Sequence, residues 1–470
     1  MVFSGLTFLF YFFPLFFIIY FLLPDRFKNY GLLIGSVVFY AWGAPKFVFI
    51  LLLSTIIDYH VVNRLHHAEQ RNKKKWLATS ISLNIGLLIF FKYANFFVDN
   101  ANVLLTSLSF GSIPLPEILL PIGISFYTFQ TLTYSIDIYR GDNKPLKSAT
   151  DYMLYIMMFP QLIAGPIVRF GEIASQIRNR IHSSKHIVEG FIRFCIGLSK
   201  KVLVANTLAI TADKIFDLPP NEWTASIAWF GIVLYTFQIY FDFAGYSDMA
   251  IGMGKMLGFK FPENFNSPYT SLSITQFWRK WHITLGRFMR DYLYKPLGGS
   301  YFGTNKTYRN LLIVFLLSGL WHGASWNFVL WGAFHGFFLI IERLTGLAKS
   351  HKFPLIRTGV TFLIVVLGWV VFKIEHTSEA LSFYSALFSF DGITPIYYYN
   401  NKLLFVLGVA VFFGFQSVTK LGKKWQDHFY TQNYSKASLA MYFSIALVLF
   451  TLSVASLSTG SYNPFIYFRF

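Results

Sequence analysis

The chain has 470 residues, of which 54% are apolar, 20% aromatic and only 13% charged. Soluble domains carry about 25% charged residues, so this composition excludes a soluble globular protein and describes a polytopic membrane protein. Lys and Arg number 40 against 22 Asp and Glu, a net charge of +18; in a membrane chain that excess belongs to cytoplasmic loops rather than to a nucleic-acid surface.

In chain order, the first apolar run is Phe3–Leu23. No Lys or Arg precedes it and no small-residue cleavage site follows, as a cleaved signal peptide requires, so it is expected to remain as a first membrane helix. Further apolar runs fall at Tyr30–Trp42, Phe47–Val62, Trp76–Val98, Ile118–Ile138, Tyr152–Val168, Ile187–Ile210, Trp223–Phe243, Leu311–Trp321, Phe328–Ile341, Val360–Phe372, Leu403–Phe415 and Ala437–Ser456. Several are shorter than the ~20 residues of a full span, which predicts re-entrant or tilted helices around a polar cavity. No internal repeat and no disordered linker interrupts them, so one integral domain over 1–470 is expected, with a motif-bearing core at about 121–345. The single cysteine, Cys195, excludes a disulfide framework and a Cys-based metal site.

Charge bias sets the expected orientation. The loop holding Arg64, Arg71, Lys73, Lys74 and Lys75 should be cytoplasmic, and Asp99–Leu119, without Lys or Arg, should lie outside. Counting back places the N-terminus outside. Counting forward places Arg140–Lys147 and most of Phe170–Lys201 inside. The basic segment Lys255–Arg309 should lie on, or dip in from, the cytoplasmic face.

Two histidines stand in segments where an ionisable group needs a partner or a cavity, and such groups are functional candidates. His282 lies in SITQFWRKWHITLGRFMRDYLYKPLGG, where Trp278, Trp281, Leu285 and Phe288 recur at helical spacing while Arg279, Lys280, Arg287 and Arg290 fall elsewhere. This reads as one interfacial amphipathic helix. Its basic residues suit the phosphates of an acidic donor or, as the plainer alternative, anionic lipid. His322 ends an apolar run and is framed by Gly319 and Gly323, with Gly332 and Gly336 repeating the spacing. Small residues let membrane helices approach closely, so this histidine should sit confined in a wall, neutral and able to accept a proton. The alternative is a packing histidine bonded to a carbonyl; a second patterned histidine upstream favours chemistry. His335 reads as packing. Asp242 and Asp248, in YFDFAGYSDMAIG, could orient a histidine or bind a cation, or else cap helices and pair with arginine. His182 and His186 have metal-pair spacing but no acidic motif beside them, so no metal is expected. No nucleophile elbow or Walker loop is present.

Several long motifs then occur in order: PIGISFYTFQTLTYSIDIYRG (Pro121–Gly141), FPQLIAGPIVR (Phe159–Arg169), YFDFAGYSDMAIG (Tyr240–Gly252), ENFNSPY (Glu263–Tyr269), RKWH ending at His282, LSGLWHGASWNFVLWG (Leu317–Gly332) and the terminal PFIYFRF. Through these the chain resembles the membrane-bound O-acyltransferase (MBOAT) family, and within it the bacterial alginate O-acetyltransferase-like branch. The family's signature histidine falls on His322 and its upstream position on His282. The resemblance implies an all-α polytopic fold of about 10–12 spanning helices, with re-entrant and interfacial helices around a tunnel, in the bacterial inner membrane. It implies an acyl group, usually acetyl from acetyl-CoA or else from a carrier-protein thioester, taken on the cytoplasmic side with no permanently bound cofactor. It implies delivery to a polysaccharide outside, often through a periplasmic SGNH-hydrolase-like partner. On this reading His322 is the base or acyl-handling residue, and His282 positions the thioester or polarises its carbonyl. Trp281, Trp321 and Arg279 would shape or charge the entrance, with Asp242 and Asp248 near it. The rival readings are a transporter, which also places ionisable groups at mid-membrane, and a relay subunit whose periplasmic partner does the chemistry.

Overall fold

The computed structural model describes residues 1–389, 399–431, 434–460 and 462–466. The terminal PFIYFRF motif is therefore described through Ile466, and its last four residues lie outside the described set. Every regular element among the described residues is helical, as the hydropathy pattern predicts. Among the described residues, six helices are long and apolar enough to cross a membrane unaided: Phe47–His67, Gln70–Ser107, Ala225–Met256, Pro354–Lys373, Asn401–Val418 and Lys436–Thr459. Other expected spans are present as helices that are shorter or more polar, among them Phe8–Leu22, Asp25–Gly43, Thr304–His322 and Trp326–Leu344, whereas the run Tyr152–Val168 is broken into Ala149–Met157, Phe159–Leu162 and a non-helical stretch. Tyr11, Phe49 and Phe405 are each more than 70% exposed, which only a hydrocarbon surrounding makes favourable.

The chain forms two compact units. The first comprises Met1–Ile187 and Met253–Pro262; the second comprises Val188–Gly252 and Glu263–Phe470. In the first unit, Ile124–Arg140 is buried along almost its whole length. It is bracketed by Gly123 (φ +79°) and Gly141 (φ +81°), both left-handed, a conformation that costs other residues about 1–2 kcal/mol. This helix and its neighbours share a buried polar knot. The Asp58 carboxylate accepts from Ser80 Oγ (2.6 Å), Asn84 Nδ2 (2.9 Å) and the Tyr152 hydroxyl, so the acid inside a membrane helix is satisfied by donors.

The second unit is built on the Ala225–Met256 helix through Gly252, and the most apolar stretch of that helix is 78% buried. Residues 188–205 pack along it at very close range. A Cβ on Gly197 would come within 2.6 Å of the Gly245 carbonyl, and one on Gly245 within 2.7 Å of the Gly197 carbonyl. Only paired glycines permit this approach. Ion pairs lock the same contact: Arg193 to Asp248 (2.6 Å) and Glu263 (2.7 Å), Lys200 to Asp248 (2.6 Å), and Lys201 to Asp242 (2.7 Å).

Candidate active site

The Thr304–His322 and Trp326–Leu344 helices form a tight hairpin. The spacing of small residues anticipates the contact: a Cβ on Gly319 would overlap the Phe328 carbonyl, and one on Gly332 would overlap the Phe315 carbonyl. Ser325 caps the second helix by accepting from the Asn327 amide at 3.3 Å. The turn places His322 on the last residue of the first helix, 3% exposed, with its ring 4.8 Å from Trp321, 5.0 Å from Trp331 and 5.2 Å from Phe372 between centroids. His335 lies one turn beyond Trp331, between Trp278 (5.0 Å) and Trp331 (5.1 Å). Gly368 makes room for it, since a Cβ there would lie 2.8 Å from its Nε2.

The expected single amphipathic helix around His282 is broken in two, Ile274–Lys280 and Ile283–Phe288. Trp281 is extended and His282 is left-handed, φ +45°, an uncommon state for a residue with a Cβ and one that clusters at functional sites. The cause is tertiary. The Asn266 amide donates to the Lys280 carbonyl (3.0 Å) and the Ile283 amide donates to the Asn264 carbonyl (2.9 Å), so ENFNSPY takes hydrogen bonds that a continuous helix would make internally. The Glu342 carboxylate accepts the Ile274 and Thr275 amides (2.5 and 2.9 Å) and anchors the start of the first half. The amphipathic division survives the break: Trp281, Leu285 and Phe288 are buried, and Arg279, Arg287 and Arg290 are exposed.

His282 is 1% exposed. Its Nδ1 lies 3.0 Å from Asn264 Oδ1. That oxygen also accepts from the Thr284 amide (3.3 Å) and hydroxyl (2.9 Å), while Asn264 Nδ2 donates to Ser247 Oγ (3.1 Å). An amide N–H only donates, so the atom facing Thr284 is the oxygen and Nδ1 must carry the hydrogen. The lone pair then sits on Nε2. Trp321 joins the two histidines, its ring 6.1 Å from that of His282 and 4.8 Å from that of His322.

Within this unit the geometry therefore gathers His282, Trp321 and His322 into one aromatic wall. Trp281 is buried against Phe265 (5.2 Å) and Trp369 (5.0 Å), inside the packing. Arg279 is exposed. Asp248 is held by Arg193 and Lys200, and Asp242 by Lys201 and by the Ile466 amide at 3.0 Å, so both acids serve the clamp between helices. Two residues were not singled out from sequence. Asn264 stands 18 positions before His282, within a motif whose other members make turns. Lys423 comes from the Lys420–Thr431 helix and, with half-buried Lys280, lines a cleft of about 380 Å³. Burial first, and then the charge of Lys423, holds Lys280 below the usual lysine range.

Residues 140–375 match the model of the membrane-bound O-acyltransferase family. This chain belongs to that family. The membrane-bound O-acyltransferase match takes in the glycine-lined hairpin, both histidines and Asn264. The chain is 42% identical to the probable alginate O-acetylase AlgI of Pseudomonas putida over 100% of both chains. It is 37% identical to the peptidoglycan O-acetyltransferase of Helicobacter pylori over 84% of this chain and 81% of that one. The teichoic acid D-alanyltransferase of Bacillus subtilis is 27% identical over 54% of this chain and 68% of its own. The chain is thus a multi-pass membrane acyltransferase.

Burial pushes the His282 imidazole down to about 3. An unfolded histidine binds its proton near pH ~6.5, so below that pH the unfolded state takes up a proton that the folded state refuses. The contribution of His282 to stability is therefore level above pH ~6.5 and falls as pH drops from there toward 3. Thermal unfolding in detergent at pH 8, 6.5 and 5 should show a midpoint that declines on the acid side less steeply in His282→Gln. Equal slopes in the two proteins would contradict this assignment.

Proposed function

We propose that this chain takes an acetyl group from a cytoplasmic thioester, acetyl-CoA, and passes it through the membrane to hydroxyls of an extracytoplasmic polysaccharide such as alginate, with a periplasmic SGNH-hydrolase-like protein as partner. The observation that carries the reading is the pair of buried histidines on either side of Trp321, one of them with its tautomer set by Asn264. Support comes also from relatives named for O-acetylation of alginate and of peptidoglycan.

The chemistry needs a base, a confined path and an entrance for an acidic donor. An acceptor hydroxyl attacks the thioester carbonyl carbon, the C–O bond forms and the C–S bond breaks. The hydroxyl proton passes to an imidazole and from it to the leaving thiolate, so atoms and charge balance without a nucleotide triphosphate. His322 is the base or acyl-handling residue. Because Nδ1–H of His282 is committed to Asn264, the neutral ring offers Nε2 as a proton acceptor, which favours proton transfer over polarising the carbonyl as its task. The cleft lined by Lys280, two residues before His282, and by Lys423, against one carboxylate, Asp427, offers unlike charge for the donor's phosphates. The excess of Lys and Arg over 255–309 supports an entrance on the cytoplasmic side.

The test uses the full chain in nanodiscs with the partner, deacetylated alginate and acetyl-labelled acetyl-CoA, a carrier-protein acetyl thioester being the second donor. CoA release with label on the glycan is the expected result. Release only from the carrier thioester would replace the donor, and no release from either would overturn the transferase reading in favour of transport.

A further inference from the structure

The first unit carries a feature that acyl transfer does not use. A cleft of about 1080 Å³ is lined by residues from 25–33, 148–151 and 178–182. Its charged lining is four cations, Arg26, Lys28, Arg178 and Arg180, against two carboxylates, Asp25 and Asp151. Each carboxylate is already matched: Lys28 lies 2.7 Å from Asp25, and Arg178 lies 2.9 Å from Asp151. Arg26 and Arg180 make no contact ion pair with a carboxylate among the described residues, although Asp25 lies near enough to feel the charge of Arg180.

Arg180 is a fixed cation rather than a loose surface one. Its guanidinium donates to the Tyr20 hydroxyl (3.2 and 3.0 Å), Asn29 Oδ1 (2.7 Å) and the Ile177 carbonyl (2.9 Å). It also lies over the Phe259 ring at 4.7 Å. All these acceptors are neutral, so they orient the fork without cancelling its charge. Four of its five N–H groups are committed to these acceptors, so what it offers a phosphate is a fixed positive charge and one remaining Nη2–H. Arg26 is exposed and can swing in. Asn179, Ser148 and Thr150 add neutral polar groups to the lining.

We propose that this cleft binds a phosphate group, with Arg180 as its fixed cation and Arg26 as its mobile one. The charge-bias orientation sets residues 24–29 and most of 170–201 on the cytoplasmic side. Two sources share this chemistry: the phosphates of a soluble nucleotide, and the headgroup of an anionic phospholipid, for which exposed Phe27, Tyr30 and Ile181 at the same segments would suit the acyl region.

Binding is read without turnover, so failure of the transferase reading would leave the result intact. The full chain, with and without Lys423→Gln to separate out binding at the Lys280–Lys423 cleft, is placed in phosphatidylcholine nanodiscs, titrated with adenosine 3′,5′-bisphosphate, and separately assembled with added phosphatidylglycerol, whose retention is measured. Arg180→Gln should weaken binding by at least about tenfold, the scale of losing a charge-assisted hydrogen bond. Arg26→Gln, at an exposed site that does not bear on folding, should weaken it in the same direction. Loss of bisphosphate binding in these variants identifies a nucleotide source, and loss of phosphatidylglycerol retention identifies a lipid source. If wild type holds neither probe, or both variants hold each probe as tightly as wild type, the proposal is overturned.

Discussion

His322→Ala is expected to abolish acyl transfer while the protein remains folded in the membrane. A positioned general base contributes about 10²–10⁴-fold, and the fall should appear in kcat, since in the proposed mechanism the ring meets the reacting hydroxyl rather than the donor's distant phosphates. The ring is packed between Trp321, Trp331 and Phe372, so truncation also leaves a void, and stability must be measured beside activity. His322→Gln fills more of the space and keeps a polar end without an imidazole's basicity. Both variants should be inactive if the ring does chemistry. If His322→Gln is folded and turns over within about tenfold of wild type, His322 is a packing residue. A relay subunit whose partner does the chemistry predicts this second outcome for His282 as well.

What the sequence made legible follows from how local each signal is. Helices repeat their apolar face within a few residues, so hydropathy located the long apolar ones though not the shorter Thr377–Leu387 and Lys420–Thr431, and the small-residue spacing around Gly319 and Gly332 correctly announced a close helix pair because both partners lie in one hairpin. Signals that depend on distant residues were less visible. Asp242 and Asp248 left several roles open because Arg193, the partner of Asp248, lies 55 positions away. The break at His282 was hidden for a related reason. Trp278, Trp281, Leu285 and Phe288 keep helical spacing straight through it, and only the bonds from the Ile283 amide to the Asn264 carbonyl and from the Asn266 amide to the Lys280 carbonyl reveal that the backbone turns over. A helical period records which side chains are apolar and says nothing about a single left-handed residue.

The same dependence on Asn264 gives the second large effect. Asn264→Ala removes the acceptor that holds Nδ1–H of His282 and the two bonds from Thr284. Without it the imidazole can shift its hydrogen to Nε2, and the nitrogen that the proposed mechanism uses as a base then becomes a donor. A loss in kcat of about 10²–10⁴ is expected, the range over which an acid–base group contributes, together with about 1–3 kcal/mol of stability for buried donors left unpaired. Asn264 acts through His282, so lowered stability alone would not establish its role. Asn264→Asp separates the two. A carboxylate still accepts from Nδ1–H and from Thr284, though it cannot donate to Ser247 Oγ as Nδ2 does. It should restore much of the activity lost in the alanine variant. By stabilising the imidazolium, it should also move the acid limb of the pH–kcat profile to higher pH than in wild type. If the aspartate variant is folded yet as inactive as the alanine variant, or is active with an unmoved profile, the residue does not set the tautomer of His282. The measurement is a pH–rate series on three proteins, each normalised to the folded fraction.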